Sequence, residues 1–96
     1  MSDVKRVVRI TPDALYRDLH GEGILLQLET GQYFGLDDVG HRMWQLLMQE
    51  GDLALVQEAL ASEYGNPATL SADLERFVGQ LVEKNLVQVE TIVSRT

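Results

Sequence analysis

The sequence predicts an α+β fold in which a three-stranded antiparallel sheet is followed by three helices. Three observations carry that prediction. Residues 14–19, 24–28 and 32–36 are strand-like runs separated by glycine-bearing turns. From Val39 to Val82, apolar residues return at spacings of three and four, the period of an amphipathic helix. Gly51-Asp52 and Gly65-Asn66-Pro67 cut that periodic half into three pieces.

Residues 1–6 read as a loose start, and Val7-Val8-Arg9-Ile10 as a short strand or an arm lying on the domain. Pro12 ends it, because proline removes a donor and restricts Thr11 before it. Residues 14–19 are the first strand of the sheet, and Gly21-Glu22-Gly23 is a turn. In residues 24–28, Ile24, Leu26 and Leu28 alternate onto one face. Thr30-Gly31 supplies a second tight turn, since glycine accepts positive φ without steric cost. The strand Gln32–Leu36 follows, with Phe34 and Leu36 on one face and Tyr33 and Gly35 on the other.

Asp37 and Asp38 can each accept from the free N–H groups of a first helical turn. The first helix shows Val39, Met43, Leu46 and Leu47 as its stripe, widened by Trp44, and stops at Gly51. Asp52 caps a second helix carrying Leu53, Val56, Leu60 and Tyr64. Thr69 or Ser71 caps a third, whose apolar side is Leu70, Leu74, Phe77, Val78, Leu81 and Val82. Asn85 suits a left-handed position after it. Residues 86–89 add a short extended segment, and residues 92–96 form a frayed tail.

Ninety-six residues make a single domain, taken as 1–96 with its core at about 14–89. A hydrophobic share of 45% argues for a folded globular chain over a disordered one. With no cysteine there are neither disulfides nor thiolate metal sites, which fits a reducing cytoplasm. No apolar run approaches the ~18 residues of a membrane span, and the first residues lack a signal-peptide core. The formal net charge of −7 disfavours nucleic acid and anionic membranes as partners.

Chemistry-bearing constellations are sparse. His20, flanked by Asp18 and Glu22, reads as a solvated loop histidine. His41 has no partner at metal-ligand spacing and reads as a surface or boundary residue. No serine lies in a nucleophile motif, and helix capping explains Asp37-Asp38 more cheaply than metal binding or acid–base work. The glycines form no phosphate-cradling loop. The expectation is a protein that is not an enzyme and carries no metal or cofactor.

Two binding surfaces remain. Three helices beside a small sheet resemble a winged helix-turn-helix, which could place its last helix in a DNA groove. That helix carries Asp73, Glu75 and Glu83 against Arg76 and Lys84, and the helix before it has no Lys or Arg. Phosphate neutralisation needs the opposite balance, so a DNA-binding regulator is the second choice. The first choice is a sheet edge at Gln32, Tyr33, Phe34, Gly35 and Leu36 that accepts an extended peptide. Asp73, Arg76, Phe77, Gln80, Leu81 and Lys84 would form the opposite wall. On periodicity alone, ordinary core or surface packing is the favoured account of Tyr33 and Phe77. A third possibility is an assembly module whose edge pairs with a second copy.

The run Leu26-Gln27-Leu28-Glu29-Thr30-Gly31-Gln32-Tyr33-Phe34-Gly35-Leu36-Asp37-Asp38-Val39-Gly40, followed by Trp44, Leu46 and Leu47, resembles the PqqD-like family of small peptide chaperones. The run from Leu74 to Val87 resembles that family's last helix and its ending. The resemblance implies a winged-helix-like RiPP recognition element. Such a domain binds the leader of a ribosomally made precursor peptide as an added strand, in a cleft between the third strand and third helix. It also implies that the strand is Gln32–Leu36 and that the cleft wall includes Asp73, Arg76, Phe77 and Gln80. The size is similar to the leader-binding proteins of lasso peptide biosynthesis, whose implied partners are a leader peptidase and an ATP-dependent cyclase. The arm at 4–12 departs from the plainest version of the pattern.

Overall fold

A computed structural model describes residues 3–65 and 67–94. The elements run β1 (Asp3–Ile10), β2 (Ala14–Leu19), β3 (Glu22–Gln27), β4 (Gln32–Leu36), α1 (Asp38–Gln49), α2 (Leu53–Tyr64), α3 (Pro67–Glu83) and β5 (Val87–Ser94). The class is α+β, as expected, with three helices and antiparallel sheets among the described residues. None of these helices is long and apolar enough to cross a membrane.

The meander β2-β3-β4 forms as the alternation and turns require. Leu25 stands opposite Tyr16 on one side and Phe34 on the other. Gly31, at φ 76°, makes the β3–β4 turn, and its N–H donates to the Gln27 carbonyl at 2.7 Å. The first turn is tighter than expected: it centres on His20 and Gly21, both at positive φ, and Glu22 already belongs to β3. The enclosed face of β3 is Gly23, Leu25 and Gln27, whereas Ile24 and Leu26 are half-buried and Leu28 is exposed. A strand's period of two makes this choice all or none, and the hairpin register decides it.

A second sheet was not anticipated. β1 pairs antiparallel with β5 from Asp3↔Ser94 to Ile10↔Val87. The loose start therefore extends into regular strand from Asp3, and the supposed tail is strand through Ser94; Met1, Ser2, Arg95 and Thr96 lie outside the described residues. Both segments are rich in Val and Ile, and β5 adds Thr91, residue types that suit a pleated surface. Their charges at Lys5, Arg6, Arg9 and Glu90 hid that signal. The ribbon is anchored where the Val8 N–H donates to the Gly51 carbonyl and the Thr11 N–H to that of Leu86.

Helix boundaries follow their caps. Asp37 alone caps α1, accepting from the Gly40 N–H at 2.7 Å, while Asp38 is the first helical residue. Asp52 caps α2, accepting from the Ala54 N–H at 3.0 Å, and left-handed Gly65 ends it. Of the stop signal there, Asn66 lies outside the described residues. α3 begins earlier than expected, at Pro67, where a missing N–H costs nothing. Thr69 and Ser71 are consequently helical residues and not caps. Leu25, Met43, Trp44, Val56, Leu60, Leu86 and Val87 are fully enclosed in one continuous core.

Candidate functional site

β4 is hydrogen-bonded to β3 along one side only; among the described residues no strand pairs with its other side. The backbone groups of that free side form a template for another extended chain. Phe34 and Leu36 turn inward and are half-buried, and Tyr33 and Gly35 face outward. Tyr33 is 74% exposed, so its ring is a contact surface rather than a core element.

Across from β4 runs α3, and a hollow of about 340 Å³ lies between them. Its walls are Tyr33, Phe34, Gly35 and Leu36 on the strand side and Phe77, Gln80 and Lys84 on the helix side. Leu25, Leu81 and Leu86 also line it, all three buried. A second hollow of about 330 Å³ continues from it, sharing Phe77 and Gln80, toward Asp73, Arg76, Asp37, Val39, Gly40, Met43 and Leu70. Together they make one cleft running along α3.

The C-terminal turn of α3 builds one end of this cleft. The Leu86 N–H donates to the Leu81 carbonyl at 2.9 Å, and the Asn85 N–H to that of Val82 at 3.0 Å. With Asn85 left-handed at φ 57°, this is a Schellman ending, which folds the residue after the cap back onto the helix. Leu86 is thereby set beside Leu81 in the cleft lining. The Asn85 carbonyl then receives the Gln27 side-chain N–H at 2.8 Å and the Thr11 hydroxyl at 3.0 Å. Gln27, only 3% exposed, also accepts from the Glu29 N–H at 2.7 Å. One buried amide thus ties the β3–β4 hairpin to the end of α3 and holds the cleft's width.

At the other end, Gly40 lets α1 and α3 approach. A Cβ there would meet Asp37 Oδ1 at 3.0 Å and Phe77 Cε1 at 3.6 Å. Arg76 is ion-paired with Asp73 three residues earlier on the same helix. Lys84 Nζ lies 5.1 Å from the centroid of the Phe34 ring, spanning the cleft from helix to strand.

Ten of the eleven residues singled out from sequence therefore line one continuous cleft, and Gln32 stands at the strand's exposed beginning. Sequence reasoning missed Leu25, Leu86, Met43, Leu70 and the α1 start at Asp37, Val39 and Gly40. Leu86 carried a usable signal, an apolar residue directly after a left-handed Asn. His41 is a correction: it is buried at 7% exposure, not a surface or boundary residue. Its Nδ1–H donates to the Gly21 carbonyl at 3.1 Å, leaving Nε2 to accept from the Tyr16 hydroxyl at 2.5 Å. It braces the β2–β3 turn against α1 and does not line the cleft.

The family model described as Coenzyme PQQ synthesis protein D (PqqD) matches residues 22–87. No match was found among curated proteins. One similar solved structure, described as TbiB1 in complex with the TbiA(beta) leader peptide, is 34% identical. Its TM-score is 0.78, over 83% of this chain and 94% of that one. Another, a lasso peptide synthetase B1 complexed with the leader peptide, is 24% identical and supports the fold alone. Its TM-score is 0.76, with 84% of this chain and 96% of that one covered.

Proposed function

Because this chain belongs to the PqqD family, we propose that it binds the leader segment of a ribosomally made precursor peptide as a strand added to β4. It acts without catalysis, in the cytoplasm, as a single recognition domain. It presents the leader to modifying enzymes, a leader peptidase and a cyclase of a lasso peptide pathway. Gln32, Tyr33, Phe34, Gly35 and Leu36 supply the template strand. Asp73, Arg76, Phe77, Gln80, Leu81 and Lys84 supply the facing wall. The observation that carries this reading is the unpaired side of β4 lying directly over an apolar-floored cleft. The leader-bound state of TbiB1 supports it.

The energetics are adequate. About four new backbone hydrogen bonds contribute ~1 kcal/mol each. Two apolar anchors buried in the two hollows add ~2–3 kcal/mol each. Ordering a flexible peptide costs ~2–5 kcal/mol, which polar contacts along the rim partly offset. A net of about −7 to −9 kcal/mol corresponds to micromolar or sub-micromolar affinity, suited to a carrier that must release its cargo.

The test is an amide NMR titration with the leader of a precursor encoded beside this protein. Signals of residues 32–36 and of α3 should shift, and the 32–36 amides should gain protection from solvent exchange. Binding with those signals unmoved rejects the site.

A further inference from the structure

The cleft carries one cation with no anion to answer it. Among the described residues, Lys5, Arg6, Arg9, Arg42 and Arg76 are each ion-paired with a carboxylate. Arg17 and Lys84 are not. Arg17 is exposed and its guanidinium donates to the Tyr16 carbonyl at 3.0 Å. Lys84 differs from it in setting. It is half-buried, its ammonium rests over the Phe34 ring, and it lines a hollow whose other walls are largely apolar. In a chain with fifteen acidic residues and a net charge of −7, a half-buried cation without a carboxylate partner contrasts with the five that are ion-paired.

The geometry points to a role in specificity. Resting on the strand-addition reading above, we infer that Lys84 selects leaders carrying an aspartate or glutamate at the position that passes between Phe34 and the end of α3. A peptide paired with β4 runs within reach of Lys84, because Lys84 and Phe34 face each other across the same cleft. The ammonium then exchanges a weak contact with a ring face for a charge-assisted hydrogen bond to a carboxylate. The apolar walls lower the local dielectric and strengthen that bond relative to open solvent. The opposite end of the cleft offers no such cation, since Arg76 is already bound to Asp73. The preference therefore belongs to one position of the leader and also sets which way the peptide lies. The chain's overall negative charge would by itself favour basic peptides, so an acidic preference at a single position cannot come from bulk electrostatics.

The experiment is a display selection on the intact protein with a library of random linear peptides, run in parallel on wild type, K84M and K84E. K84M keeps the packing stem, and unfolding curves of all three proteins check the fold. Wild type should enrich apolar anchors with Asp or Glu at one fixed offset from them. K84M should keep the anchors and lose that preference, and K84E should replace it with Lys or Arg. For a selected peptide, changing the acid to its amide should weaken wild-type binding about tenfold and leave K84M binding unchanged. Equal acid enrichment by wild type and K84M, or anchors with no acid preference in wild type, overturns the assignment of Lys84 alone. Failure of any selected peptide to shift the 32–36 amides overturns the strand-addition reading, and this inference with it.

Discussion

Adding a single methyl group at Gly23 gives the most demanding test of the scaffold. A Cβ built there lies 2.7 Å from His41 Cδ2 and 2.8 Å from Cγ. Ordinary carbon contacts are about 3.5–4.0 Å, so the overlap approaches ~1 Å. The ring cannot simply slide away. It is hydrogen-bonded at both nitrogens, to Gly21 and Tyr16, and its centroid is 5.6 Å from that of Tyr16. Relief requires breaking one or both bonds, ~1 kcal/mol each, or displacing β3. Gly23→Ala should thus cost ~2–3 kcal/mol, near the upper end for overpacking. For a domain of this size that lowers Tm by roughly 10–20 °C. Urea unfolding followed by the fluorescence of Trp44, which is 1% exposed, measures it. The decisive control is the same change in a His41→Ala background. With the ring gone, alanine at 23 should be neutral or stabilising by up to ~1 kcal/mol, because it narrows the unfolded ensemble. The sign should reverse. If Gly23→Ala costs as much without His41 as with it, the steric account is wrong.

The other expectations concern ties at the cleft and the ribbon. Gln27→Leu strands the Glu29 N–H and removes one of the Asn85 carbonyl's donors, so it should destabilise by ~1–3 kcal/mol and also weaken leader binding by loosening the cleft; calorimetric unfolding and titration check both. Phe77→Ala should reduce leader affinity by about ten- to a hundredfold while circular dichroism stays native, since the ring is only half-buried and sits where the two hollows meet. The Arg6 guanidinium, hydrogen-bonded to Glu75, holds that carboxyl below the ordinary glutamate range. A depressed acid contributes stability above its unfolded value and loses it as pH falls through the folded one. The pair is largely exposed, so the stability gap between wild type and Arg6→Gln should be ~1 kcal/mol or less at neutral pH and should close on acidification through the carboxylate range.

What could be read from sequence was what is local. The β2-β3-β4 meander, the Asp37 and Asp52 caps, the left-handed Asn85 and the facing of β4 all follow from a few consecutive residues. The cleft was legible because Gln32–Leu36 and α3 each display their site residues at regular spacing. The misreadings involve partners far apart in the chain. β1 and β5 become strands by meeting each other, and neither segment announces the other. His41 is buried because the β2–β3 turn folds over it, a tertiary fact absent from the pattern of α1. The enclosed face of β3 turned on Gln27, whose buried amide is satisfied by the nearby Glu29 N–H and by the distant Asn85 carbonyl, and the second of these could not be read locally.

The pairing of β1 with β5 joins the first described strand to the last. It closes a loop of nearly the whole chain, whereas the meander and the helices form from neighbours. During synthesis β1 must therefore wait until β5 has emerged before its ladder can close.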